Sequence, residues 1–116
     1  MYGTIGHLRV KAGMEETFLQ LLKNQAEAFE DGHIAGLVGS YMYRLEARQN
    51  AYAMVALVED REAYWKHAQS AGQDARYRQW LPLLVGEPTW HDGEVVGGYV
   101  LPRSVESEGR ERTWTP

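Results

Sequence analysis

Two short stretches carry most of the side chains with chemical potential, Tyr64-Trp65-Lys66-His67 and Tyr77-Arg78-Gln79-Trp80. Tyr64, His67, Ala68 and Ala71 share one helical face by the 3, 4, 7 spacing, with Trp65 at its edge. Tyr77, Trp80 and Leu84 make a matching face on a following helix. Rings with polar tips at this spacing have two readings. They pack a core against a sheet, or they line a pocket between helices and sheet for a planar, partly polar ligand. In the pocket reading Trp65, Tyr64, Tyr77 and Trp80 bind the ligand, and His67 is the catalytic acid–base group. Imidazole suits that role because it titrates near neutrality without perturbation. In the packing reading His67 is a surface or capping residue. Trp90-His91-Asp92-Gly93 is similarly double-edged. Neighbouring strand residues face opposite ways, so Trp90 and His91 line one pocket only across a bulge, and Asp92-Gly93 reads as a turn or bulge device.

Other chemistries find no support. The histidines His7, His33, His67 and His91 form no His-x-His, His-x-x-x-His or His-Glu-x-x-His pair. Local spacing therefore predicts no metal site, and only convergence of His7 and His91 across neighbouring strands would bring two together. The chain has no Gly-x-Gly-x-x-Gly, no phosphate loop and no Gly-x-Ser-x-Gly elbow; Val38-Gly39-Ser40-Tyr41 does not fit the last. With no cysteine, disulfides and thiolate chemistry are excluded.

Composition narrows the class. The chain has 116 residues, room for one domain, and its 44% hydrophobic share is that of a globular protein. A net charge of −4 without a basic run argues against a nucleic-acid partner. No apolar run approaches the roughly 18 residues of a membrane span. Gly3, Gly6, His7 and Arg9 interrupt any signal-peptide layout, so a cytoplasmic location is expected.

The elements that must position the rings follow a β-α-β-β-α-β order. A strand is predicted over Tyr2 to Val10, with Lys11-Ala12-Gly13 as the turn out of it. From Met14 the residues Phe18, Leu21, Leu22, Ala28 and Phe29 trace one helical face, and Asp31-Gly32 supplies the stop. Strands over Leu37 to Glu46 and Ala51 to Glu59 join around Arg48-Gln49-Asn50. Asp60 caps a helix to about Ala71, Gly72 breaks it, and Asp74 opens a short helix ended by Pro82. Gly86-Glu87-Pro88 turns the chain into a last strand, Thr89 to Val100, bent at Gly97-Gly98. This makes a domain of residues 1–101 and a polar, aperiodic tail of residues 102–116, expected to be flexible, with Trp114 as a residue able to dock on a partner subunit. The strand AYAMVALV is apolar on both faces. Helices in so short a chain cover one side of the sheet, so a second copy is expected on the other, making a homodimer through the sheet face.

Taken together, DREAYWKHAQSAG and YRQWLPLLVGEPTWHDGEVVGGYV resemble the C-terminal half of an antibiotic-biosynthesis-monooxygenase-type domain, and residues 1 to 100 fit the resemblance. It implies an α+β, ferredoxin-like monomer whose sheet packs on a second copy as a dimeric α+β barrel, with a ligand cleft between sheet and helices. The family includes cofactor-independent monooxygenases of polyphenolic or quinol substrates, heme-degrading enzymes, and proteins without a known activity. Trp65 falls where both enzymatic branches have a pocket tryptophan. Other positions depart from the pattern. Gly6 stands where the heme-degrading branch has a first-strand Asn, and Tyr77 to Leu81 holds no histidine where that branch has its heme ligand; His67 is more than two helical turns earlier. The Asn used near the pocket by the monooxygenase branch has no counterpart within Ala51 to Glu59, and Asn50 sits just before that strand. The resemblance therefore implies a cofactor-independent monooxygenase acting on a small aromatic, polyphenolic or quinone-like substrate, with neither metal nor flavin. The alternative is a non-catalytic small-ligand-binding or stress-associated dimeric barrel.

Overall fold

The computed structural model of the protein describes residues 1–29 and 36–99. In chain order it has β1 (Tyr2–Arg9), α1 (Glu15–Phe29), β2 (Leu37–Arg44), β3 (Ala51–Val58), α2 (Arg61–Ala68), α3 (Ala71–Trp80), a 3₁₀ turn (Leu81–Leu83) and β4 (Thr89–Glu94). The expected stop at Asp31-Gly32, His33 and the polar tail with Trp114 lie outside the described residues. The four strands form an antiparallel sheet in the order β2-β3-β1-β4, a ferredoxin-like α+β arrangement.

Local chemistry explains most element boundaries. Gly13 turns the chain out of β1 with φ 82°, a conformation that side chains with a Cβ avoid. Glu15 and Glu16 then occupy the first turn of α1, where the helix dipole favours anions. The Asp60 carboxylate accepts from the Ala63 N–H at 2.7 Å and starts α2. The break between α2 and α3 lies at Gln69-Ser70 rather than at Gly72. Ser70 wins because its hydroxyl accepts from the Gln73 N–H at 3.2 Å and donates to the His67 carbonyl at 2.7 Å. One side chain thereby closes one helix and opens the next, with Gly72 absorbed into the first turn of α3.

The final strand is shorter than predicted, and register supplies the reason. Tyr2 pairs with Glu94 at the very start of β1, so residues after Glu94 have almost nothing left to pair with. One further bond, Val95 N–H to the Met1 carbonyl at 2.9 Å, ends the ladder, and Gly97-Gly98 lies beyond it. Asp92-Gly93 sits inside this regular pairing and is no turn. The register shift in the sheet falls instead in β2, between Leu37 and Gly39.

Pairing places Tyr2, Thr4, Gly6 and Leu8 on one face with Tyr52, Met54, Ala56 and Val58. This face carries the core, in which Leu8, Val10, Phe18, Leu22, Tyr52, Trp80 and Leu84 are buried together. Phe18 touches the Tyr52 and Trp80 rings at centroid distances of 5.6 and 5.9 Å. The buried indole N–H of Trp80 is satisfied by the Gln25 side-chain oxygen at 2.9 Å. At the rim, the Tyr52 hydroxyl donates to Glu15, and the Arg44 guanidinium holds the same carboxylate at 3.0 Å, tying α1 to β2 and β3.

The opposite face is bare in the single chain. Ile5, Tyr41 and Tyr43 are 46%, 50% and 53% exposed there, beside Ala53, Val55 and Leu57.

Gly6 is required by close approach. A Cβ built on it would overlap the indole of Trp90, its cross-strand partner. Gly6→Ala should displace that ring, lowering stability by about 1–3 kcal/mol in urea titration and altering tryptophan emission. An unchanged midpoint with unchanged emission would show that Trp90 does not rest on this glycine.

Candidate functional site

The candidate site is a lane on the helix-facing side of β1 and β4. Cross-strand pairing sets Thr4 opposite Asp92 and Gly6 opposite Trp90, with Tyr2 and Glu94 completing the row. Over this floor α2 lowers Tyr64 and α3 lowers Tyr77. Tyr64 stacks on Tyr2 at 5.0 Å and donates its hydroxyl to the Asp92 carboxylate at 2.6 Å. Tyr77 sits 6.4 Å from Trp90 on one side and 6.4 Å from Trp80 on the other. Thr4 is buried to 6% exposure beneath Tyr64, and its hydroxyl meets no hydrogen-bond partner of good geometry.

Electrostatics divide the roles. Burial, reinforced by the bond to Asp92, pushes the Tyr64 hydroxyl up to about 12, although the nearby Thr4 hydroxyl acts in the opposite direction. Tyr64 therefore keeps its proton at neutral pH and acts as a donor. Tyr77 is also raised, by burial first and then by the charge of Glu87. His67, one turn after Tyr64, is lowered, chiefly by burial and then by the positive charge of Arg76, against a hydrogen bond with Gln73. Its imidazole is neutral at pH 7 and has a lone pair to offer.

The residues singled out in the sequence are thus distributed over three environments. Tyr64 and Tyr77 reach the lane. His67 is half-buried near Gln73 and Arg76 of α3. Trp80 belongs to the core, where it packs on Phe18 and Gln25. Trp65 touches the edge of Tyr64 at 5.2 Å but stands 41% exposed. It lines an open depression with Arg61, Glu62, Lys66 and Gln69 along the exposed face of α2. That depression does not hold the Tyr64–Asp92 pair, which belongs to the lane.

Tyr2, Thr4, Gly6, Trp90 and Asp92 were not read as site residues from sequence. Their common parity on two strands was available as a signal, but it needs the β1–β4 register to have meaning. Trp90 and His91 do face opposite sides: Trp90 lies on Gly6 among the helices, and His91 meets His7 on the bare face. Asn50 sits in the turn before β3 with φ 60°, its carbonyl accepting from the Val10 N–H at 2.8 Å. Among the described residues no three metal-ligating side chains converge, and no helix is long and apolar enough to cross a membrane.

No protein-family model matches this sequence, and no curated protein does. Solved structures do match it. An antibiotic biosynthesis monooxygenase superposes with a TM-score of 0.69 at 12% identity, covering 84% of this chain and 100% of the other. SnoaB, a cofactor-independent oxygenase from Streptomyces nogalater, gives 0.68 at 17% identity over 88% of this chain and 97% of its own. NE2512 from Nitrosomonas europaea, a protein of unknown function, gives 0.69 at 16% identity over 89% and 95%. The chain has the fold of the antibiotic biosynthesis monooxygenases, and at these identities the likeness concerns fold alone.

The lowered His67 makes a prediction about stability. The unfolded imidazole titrates near 6.5 and the folded one lower, so below about pH 6.5 the unfolded chain binds the extra proton first. Stability from this group is therefore full above about pH 6.5 and falls as pH drops toward the folded value. His67→Gln should flatten the decline in Tm between about pH 7.5 and 5.5, and parallel curves for the two proteins would refute the burial of a neutral imidazole.

Proposed function

We propose that the chain binds a small aromatic, polyphenolic or quinone-like molecule over the β1–β4 lane and oxidises it with dioxygen, without metal or flavin. The observation that carries this reading is the Tyr64 hydroxyl, held on Asp92 above the buried hydroxyl of Thr4. It sets a phenolic O–H among the rings of Tyr2 and Trp65, a polar tip suited to a substrate oxygen.

In the proposed reaction the substrate extends from the lane along α2 to His67, one turn after Tyr64, and this imidazole, neutral at pH 7, accepts a proton from an activated C–H or O–H. Tyr64, which keeps its proton, turns its single O–H from Asp92 to the oxygen on which negative charge develops. Tyr77 packs on the ring system, Trp80 supports Tyr77 from the core, and Trp65 steadies Tyr64 through its edge contact. The substrate carbanion supplies the electrons to dioxygen. For a substrate with an activated methylene, one dioxygen converts that methylene to a carbonyl and releases one water. The two methylene hydrogens leave in the water together with one oxygen atom, and the other oxygen atom stays in the product. The oxygenase activity of SnoaB, on the same fold, supports the class of chemistry.

A non-catalytic binder is the second reading. It is favoured by Asn50, whose place in a backbone turn leaves the strand that follows without an amide side chain to offer a substrate.

The bare sheet face supports a homodimer in either case. Ile5, Tyr41, Tyr43, Val55 and Leu57 form an apolar surface across three adjacent strands, of the kind that marks an interface. A second copy presents the same surface, and an isologous contact covers both at once.

Oxygen consumption with a panel of hydroquinones and anthrone-type phenols tests the activity. His67→Ala should slow uptake by about 10²-fold, Tyr64→Phe by about tenfold, and Trp65→Ala should weaken substrate saturation. Uptake no faster than buffer across the panel, together with a ligand-induced rise in Tm, would establish the binder instead. Light scattering should give twice the chain mass for the native protein and one chain mass for Val55→Lys; a monomeric native protein would remove the dimer.

A further inference from the structure

One pair of side chains is used by none of these roles. His7 on β1 and His91 on β4 face the bare side of the sheet, with ring centroids 5.7 Å apart and planes at 73°. They are diagonal neighbours across an antiparallel pair, since His91 is opposite Ile5 and His7 opposite Thr89. Eighty-three residues of sequence lie between them, so no local motif announces the pair.

We propose that His7 and His91 form a two-imidazole site for a divalent late first-row transition metal, of the zinc, nickel or copper type. The spacing fits. With metal–nitrogen bonds of about 2.1 Å, two imidazoles sharing one ion stand roughly 5–6.5 Å apart between ring centroids. The 5.7 Å separation falls within that interval. Both rings are exposed in the single chain, so an ion reaches them there without unfolding the sheet. Imidazole is a borderline donor that suits these cations and discriminates against calcium and magnesium, which demand oxygen ligands.

The surroundings set the strength. The strand residues facing the same side near the pair are Ile5 and Arg9 on β1, Ala53 and Val55 on β3, and Thr89 and Gly93 on β4. None is a carboxylate, and Arg9 adds a positive charge two residues from His7. Water must complete the coordination shell, and so small a donor set beside a cation binds more weakly than the three or four protein ligands of an ordinary zinc site. The site is complete within one chain. It shares the bare face with the proposed dimer contact but does not rest on it.

Isothermal titration of the full-length chain at pH 7.5 with zinc and, separately, nickel tests the site. One ion per chain should bind to the native protein and to the monomeric Val55→Lys variant alike. His7→Gln and His91→Gln should each weaken binding at least tenfold, while His67→Gln leaves it unchanged. Far-ultraviolet circular dichroism of the variants separates loss of ligand from loss of fold. Absence of saturable binding, or binding that survives both His7→Gln and His91→Gln, would overturn the proposal. Binding to Val55→Lys but not to the native dimer would also overturn it for the assembled protein, because the contact would then occlude the pair.

Discussion

A sheet with two apolar faces and helices enough for one is the constraint on which this protein turns. β3 runs Ala51–Val58 without a charged residue, so neither of its faces is suited to water. The helices cover the side that carries Tyr52, Met54 and Val58, and the core forms there around Phe18 and Trp80. Everything placed on that side, including the lane beneath Tyr64 and Tyr77, inherits its position from this division. Everything on the other side remains available for contact, from Ile5 and Tyr41 to the two histidines.

The helices do more than cover. Two short side chains decide how α2 and α3 meet the sheet: Asp60 caps the first, and Ser70 ends the first while opening the second. The break between them separates two ring placements, Tyr64 on Tyr2 and Tyr77 beside Trp90. A continuous helix would keep its residues on one straight line and could not aim both rings at one pair of strands. Gly6 completes the fit from below by leaving room for the Trp90 indole.

Chemical differentiation within the site comes from burial rather than from unusual residues. Tyr64 and His67 are one helical turn apart, yet burial moves them in opposite directions, because it disfavours the anion of one and the cation of the other. The result at neutral pH is a protonated phenol over the lane and, one turn along α2, a neutral imidazole near Gln73 and Arg76. Asp92 strengthens the first of these by accepting the phenol proton in a hydrogen bond.

Much of this was legible in the amino-acid order, and the reason is periodicity. The spacing of Phe18, Leu21 and Leu22 marks α1, the unbroken apolar run of Ala51–Val58 marks a strand with two apolar faces, and the helical spacing of Tyr64 and His67 places both on one face of α2. These are properties of neighbours a few residues apart, which a single chain displays openly. The role of Ser70 over Gly72, the early end of β4 at Glu94 and the membership of Thr4, Gly6, Trp90 and Asp92 in one lane were not legible. The first turns on which of two nearby helix breakers finds hydrogen-bond partners, and the others on which residue of β1 lies opposite which residue of β4, far away in the chain. Pairing of that kind is settled by the whole sheet closing at once, so only the tertiary structure decides it. The sequence by itself determined the elements and their apolar faces, and the fold determined which side chains meet.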